Sequence, residues 1–323
     1  MTTPQEPIAS PFGYRSTALE VTRGIDLSGK TAFVTGGYSG LGTEVVRALA
    51  AAGARVLVGA RRPDKAAEDL ADVAGEVEIL ALDLADPASI DACAAQVTER
   101  TGPLHILINN AAIMACPLAR DARGFESQFA VNHLGHFQFT ARLWPLLKAA
   151  GGARVVSVSS IGHRLHGLVL EDLHFEHRPY DKWLAYGQAK SANALFALHL
   201  DTLGQAHGVR AFAVHPGGIA TPLQRHLTMD EQKAMGWYDE AGTLNAMFKT
   251  PAEGAATSVW CATSPLLEGM GGVYCEDCNI GAMAGDPPPR ASGVWPHIRD
   301  ADLAAGLWAR SEAMTGAAFG SEH

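Results

Sequence analysis

The stretch "TAFVTGGYSGLGTEVVRALAAAG", residues 31–53, decides the fold. It opens as a short apolar run of strand character and closes as an Ala-rich segment. Val45, Val46 and Leu49 recur there at helical spacing. Between them Gly36, Gly40 and Gly42 follow the spacing G-x-x-x-G-x-G. A strand that turns straight into a helix must bend sharply, and glycine permits the bend. The helix N-terminus then presents free N–H groups and a positive dipole end to an anion. A plain tight turn shares these features. The strong strand before it and the helix after it favour a dinucleotide site, whose pyrophosphate needs that close backbone approach. The nominated contacts in this turn are Gly36, Tyr38, Ser39, Gly40 and Leu41.

The same alternation continues outward. Apolar runs at 31–36, 55–60, 77–82, 104–109, 153–159, 209–214 and 271–276 read as seven buried strands. Helical segments such as 41–53 and 89–102 separate them. Strands alternating with helices predict an α/β fold. The expectation is a single Rossmann-type, doubly wound, seven-stranded parallel sheet with helices on both faces. The expected domain spans 30–283, after a polar extension over 1–29 and before a tail over 284–323. The tail contains "DPPPR" and a helix from Asp300 to about Met314. An irregular stretch at about 222–250, with Met229, Met235, Trp237, Tyr238, Met247 and Phe248, interrupts the pattern.

Composition narrows the function classes. Apolar residues make up 47% of the 323, enough for a large core, and charged residues only 18%, which argues against disorder. A formal charge of −9 argues against nucleic acid as the partner. No apolar run is long enough for a membrane span, and the first residues lack the pattern of a secretory signal. Five scattered cysteines fit a reduced, cytoplasmic protein.

Two further stretches carry chemistry. After the second run comes "GARRPD", with Ala60, Arg61 and Arg62 where NAD sites carry an acidic residue for the ribose 2′-hydroxyl. Arginine grips a phosphate in bidentate fashion, so NADP(H) is preferred and NAD(H) remains possible. In "YGQAK", residues 186–190, Tyr186 and Lys190 stand four apart on one helix face. A cation there favours the phenolate and lowers the tyrosine pKa toward a useful acid/base range.

The motifs "TGGYSGLG", "LDLAD" (82–86), "NNAA" (109–112), "VNHLG" (131–135), "VVSVSS" (155–160), "YGQAK" and "HPGGIAT" (215–221) occur in one order. Together they resemble the short-chain dehydrogenase/reductase family over about residues 25–283, and within it the retinol-dehydrogenase-like and WW-domain-oxidoreductase-like members. Ala112 replaces the family's usual glycine, and the insert 166–183 resembles one in that branch. The resemblance implies a catalytic set of Asn132, Ser160, Tyr186 and Lys190. Ser160 would polarise the substrate carbonyl, and Asn132 would anchor a water linking Lys190 to solvent. Lys190 would also bind the nicotinamide ribose. Asp83, with Leu84, would hold the adenine. Asn110 would stabilise the sheet beside the cofactor, with Ala111 next to it. Pro216, Gly217 and Ile219 would line the nicotinamide, and Thr221 would bond its carboxamide. The implied reaction interconverts an alcohol and its ketone or aldehyde. The alternatives are a silent dinucleotide-binding sensor or scaffold, and a C=C reductase. The resemblance also implies a homodimer or homotetramer built through the helices carrying Asn132 and Tyr186, and a substrate lid at 222–250.

Other clusters lead elsewhere. Cys275 and Cys278 form a C-x-x-C without a partner pair, so neither zinc nor redox chemistry is expected, only a strand end near an interface or the cofactor. The thirteen histidines, including His133, His136, His163, His166, His174 and His177, lack carboxylates in a recognised metal motif; packing explains them, with His163 or His166 also within the substrate question. No metal site is nominated.

Overall fold

The runs read from sequence pair as β1 (Thr31–Thr35), β2 (Arg55–Ala60), β3 (Val77–Ala81), β4 (Ile106–Asn109), β5 (Arg154–Val158), β6 (Arg210–His215) and β7 (Val273–Glu276). All seven are parallel, in the order β3-β2-β1-β4-β5-β6-β7. The computed structural model describes residues 3–287 and 292–320, so Pro288 to Arg290 of "DPPPR" lie outside the described residues.

The strand count needs a correction. An eighth strand, β8 (Asn279–Ile280), pairs antiparallel with β7 at the sheet edge. Asp277 and Cys278 turn the chain between them with φ of 52° and 55°. A two-residue hairpin loop with both residues at positive φ matches the twist of its strands and usually carries Asn-Gly. Here Asp-Cys fills it, which is why the sequence offers no turn signal. The same hairpin places Cys275 and Cys278 in the core with Cys261.

The helices are α1 (Ala18–Val21), α2 (Leu41–Ala51), α3 (Pro63–Asp69), α4 (Pro87–Arg100), α5 (Ser127–Phe129), α6 (Gly135–Ala149), α7 (Lys182–Gly204), α8 (Met229–Ala234), α9 (Pro251–Thr263) and α10 (Ala301–Thr315). A π-helical turn, Ala130–Leu134, joins α5 to α6. Among the described residues no helix is long and apolar enough to cross a membrane.

Strand alternation sorts the core into two layers. Val34, Val58, Ile108, Val156 and Val214 face α2 and α9. Their chain neighbours Phe33, Leu57, Leu107, Val155 and Ala213 face α4, α6 and α7. Each fully buried Val, Leu or Phe contributes roughly 1.5–3 kcal/mol. A sheet apolar on both sides cannot exist without helices on both sides.

The flanking segments are part of this body. The Gln5 amide donates to Tyr274 O (2.8 Å) and Gly281 O (2.7 Å) and accepts from Tyr274 N (2.9 Å), sealing the edge beside β7. Arg15 donates to Phe248 O (2.9 Å) and Ala246 O (2.6 Å), tying the first residues to the stretch 222–250. At the other end α10 packs along α7 and reaches α6. Trp308 stacks on Phe196 at 5.7 Å and meets Phe137 edge-on at 4.9 Å. The helices expected to pair two subunits are therefore covered on this face by the chain's own α10.

Candidate active site

Parallel strands end on the same side, and β1, β2, β4, β5 and β6 all end at one cleft of about 1730 Å³. Every residue nominated for cofactor contact borders this cleft, and so do Ser160, Tyr186 and Lys190. Asn132 lies behind its wall.

The glycine turn forms a cradle with no room for side chains. A Cβ on Gly42 would fall 2.3 Å from Gly36 O, and one on Gly36, whose φ is +63°, would lie 3.0 Å from the Ala111 Cβ. Gly40, at φ +55°, would meet Thr221 at 3.1 Å. The Asn110 amide donates to Thr35 O (2.9 Å), bracing β1 against β4 beneath the turn. Backbone packed this closely, at the start of α2, suits a dinucleotide pyrophosphate. At the end of β2, Arg61 and Arg62 border the same cleft, joined by Lys65 from the first turn of α3.

Ser160 caps the 3-10 turn Ile161–Arg164 just after β5, and its Oγ accepts from Gly162 N at 3.0 Å. Its Oγ and the Tyr186 ring close in on Gly162 together: an added Cβ there would meet Tyr186 Cε1 at 2.8 Å and Ser160 Oγ at 3.4 Å. Tyr186 and Lys190 lie on the buried face of α7, both withdrawn from solvent. Lys190 Nζ donates to Val158 O at 2.8 Å and stands 5.7 Å from the centre of the Tyr186 ring.

A model of the short chain dehydrogenase family matches residues 30–232. The chain belongs to the short-chain dehydrogenase family. A probable oxidoreductase of Streptomyces antibioticus is 45% identical, the match covering 88% of this chain and 97% of that one. Retinol dehydrogenase 12 of Homo sapiens is 37% identical over 88% of this chain and 85% of its own length. The crystal structure of an uncharacterized protein from Mycobacterium paratuberculosis superposes with a TM-score of 0.73 at 33% identity, covering 95% of this chain and 99% of that one. This short-chain dehydrogenase is thus an oxidoreductase of a branch that includes retinol dehydrogenases.

One expectation about the dehydrogenase's site residues needs revision, the lowered tyrosine pKa. Burial pushes the Tyr186 phenol up to about 12, with the Ser160 hydroxyl opposing. Lys190 does not hold it down, because burial also pushes the ammonium down to about 7. Charge is disfavoured in both groups by the same loss of water. Asn132 lies in the π turn, and its amide is spent on Ile113: Oδ1 accepts from Ile113 N and Nδ2 donates to Ile113 O, both at 2.9 Å. Its carbonyl meets His136 Nδ1 at 3.0 Å. The Thr221 hydroxyl accepts from Leu223 N at 3.3 Å, capping the next turn.

Sequence reasoning missed several cleft residues. Lys65 stands four after Arg61, a spacing that could have been read as a basic cluster. His215 gave no separate signal. Its Nδ1 accepts from Ile161 N (3.1 Å) and Gly217 N (3.4 Å), linking the Ser160 turn to the loop after β6. Burial drives it down to about 3, so it is neutral. Tyr14 and Trp295 arrive from distant parts of the chain, which local pattern cannot show, and Arg164 comes from the turn that Ser160 caps. His133 bonds Ser311 Oγ at 2.8 Å inside the core, the packing role expected of it.

Proposed function

We propose that this chain interconverts an alcohol and its ketone or aldehyde, preferring NADP(H), on an apolar substrate. The observation that carries the reading is the convergence of Ser160, Tyr186 and Lys190 on the wall of the cleft that the glycine turn opens. A bound dinucleotide supplies the hydride donor or acceptor. Gly36, Ser39, Gly40 and Leu41 would hold its pyrophosphate, Asp83 and Leu84 its adenine, and Pro216, Gly217, Ile219 and Thr221 its nicotinamide end. Arg61, Arg62 and Lys65 offer three cations to a 2′-phosphate, and the fork of an arginine matches phosphate oxygens.

The chain's own residues handle the substrate oxygen. Ser160 donates a hydrogen bond to the carbonyl, drawing electron density onto oxygen as the carbon is reduced. Tyr186 gives that oxygen its proton, and takes it back in alcohol oxidation. A phenol held above neutrality is protonated at rest, which suits the reductive direction. Lys190 would return the proton to Tyr186, itself resupplied from solvent through a water anchored by Asn132. Met114, Trp183, Leu223, Met235, Trp237 and Phe248 border the substrate side, and such a wall accepts an apolar body with few polar anchors. The stretch 222–250 would serve as its lid, held shut at one side by the Lys182–Glu231 ion pair.

A panel of apolar ketones, aldehydes and alcohols, assayed with NADPH and NADH side by side, tests this. Turnover should be seen, faster at low cofactor concentration with NADPH. No cofactor-dependent turnover across the panel would overturn the reading.

A further inference from the structure

We infer that His163 is a positioning residue for Ser160, and that the chain segment around Trp295 fixes its tautomer. The inference rests on the alcohol–carbonyl chemistry proposed above. His163 is wholly buried within the turn Ile161–Arg164 and does not itself border the cleft. Its ring Nδ1 lies 2.8 Å from the carbonyl oxygen of Ser160, and its main-chain N–H donates to the same oxygen at 3.1 Å. On the far side of the ring, Trp295 N approaches Nε2 at 3.4 Å.

These contacts place the proton. A main-chain N–H only donates, so Nε2 keeps its lone pair and Nδ1 carries the hydrogen. A carbonyl only accepts, so the bond from Nδ1–H to Ser160 O agrees with that tautomer. The Tyr274 hydroxyl lies 3.2 Å from the same Nδ1, and its ring packs against the imidazole at 5.0 Å and 64°. Burial holds His163 near 4, so the ring is neutral around physiological pH.

Ser160 is thereby fixed from two directions. Its carbonyl is gripped by His163, while its Oγ takes Gly162 N–H beside the Tyr186 ring. Without the ring bond, only the main-chain N–H of residue 163 still holds that carbonyl, and the looser turn lets Oγ shift away from the phenol. A misplacement of about 1 Å costs on the order of 10²-fold in rate.

Two polar variants separate position from folding. His163→Asn sets an amide N–H near the place of Nδ1, whereas His163→Gln carries its amide toward Trp295 and cannot reach Ser160 O. Crystal structures, kcat, KM and NADPH affinity are compared with wild type. The Asn variant should keep Ser160 against Tyr186 and retain most of kcat. The Gln variant should show Ser160 displaced and kcat lower by about 10²-fold, with NADPH affinity unchanged. Nitrogen NMR of wild-type His163 at neutral pH should report a neutral ring protonated at Nδ1. A Gln variant with Ser160 in place and full kcat, equal loss in both variants, or an Nε2–H ring would overturn the inference. A wild type without turnover would instead defeat the proposed chemistry, and the position of Ser160 and the tautomer would still decide the role of His163.

Discussion

Tyr186 and Lys190 illustrate what burial does to a pair of ionisable groups. Tyr186 rises to about 12 and Lys190 falls to about 7, so each favours its neutral form. Tyr186→Phe removes the proton donor proposed for the substrate oxygen while leaving ring volume and packing nearly intact. Turnover should vanish and NADPH binding, read by fluorescence titration, should stay within a few-fold. Because the phenol must lose its proton before it can accept one, alcohol oxidation should accelerate as pH rises above 7, while reduction, which uses the protonated phenol, should hold until the pH nears about 12. Lys190 also carries a stability signature. Its folded pKa lies below its ordinary 10.5, so between about pH 7 and 10.5 the unfolded chain binds a proton that the folded chain does not. The contribution of this group to stability therefore rises with pH through that window. Lys190→Met should melt higher than wild type at pH 7, with Val158 O still bonded by Asn193 at 3.0 Å. That advantage should shrink toward pH 10. Parallel thermal melts at the two pH values measure it.

At the scale of elements, the turn from β1 into α2 is the part most sensitive to one added methyl. A Cβ on Gly42 would stand 2.3 Å from Gly36 O and 2.8 Å from Gly37 Cα, both main chain that cannot move without opening the turn. Gly42→Ala should abolish NADPH binding and lower the melting temperature, whereas Gly13→Ala, with open space around its Cβ, should do neither. This turn was legible because its demand is local: glycines, a strand and a helix follow one another in the chain. The seven parallel strands were legible for a related reason, since a sheet buried on both faces must be written as continuous apolar runs. β8 was not, because Asp277 and Cys278 adopt positive φ without the usual glycine. Among site residues, Ser160, Tyr186 and Lys190 stand out through motifs that keep close spacing. Tyr14 and Trp295 reach the cleft only through tertiary packing of the two termini, so nothing near them in sequence announces it. The pKa direction of Tyr186 is hidden for a related reason: charge pairing is visible as spacing, and desolvation is not.

For the whole molecule, the decisive feature is how the C-terminal segment completes the helical layer over α6 and α7. Trp308 fills a space among Phe137, Phe196 and His199, and Phe319 packs against Phe137, Trp144 and Trp308 at 5.3, 5.5 and 4.5 Å. Ala304 and Leu307 cover Leu195 and Ala192 on α7. Aromatic groups of this size bury 150–250 Å² each, and an uncovered apolar patch of several hundred Å² seeks a partner. Ending the chain after Arg299 would leave the β-sheet, the cleft and the His163–Trp295 contact in place while stripping α10 from this face. The shortened protein should melt lower and self-associate with rising concentration, whereas the intact chain should show no association through this face. Analytical ultracentrifugation of both forms over a concentration series measures the difference. Substituting Trp308 and Phe319 together with alanine in the full chain should move it in the same direction by a smaller step. If the intact chain instead associates and either change dissolves the assembly, α10 builds an intersubunit contact rather than closing the layer within one chain.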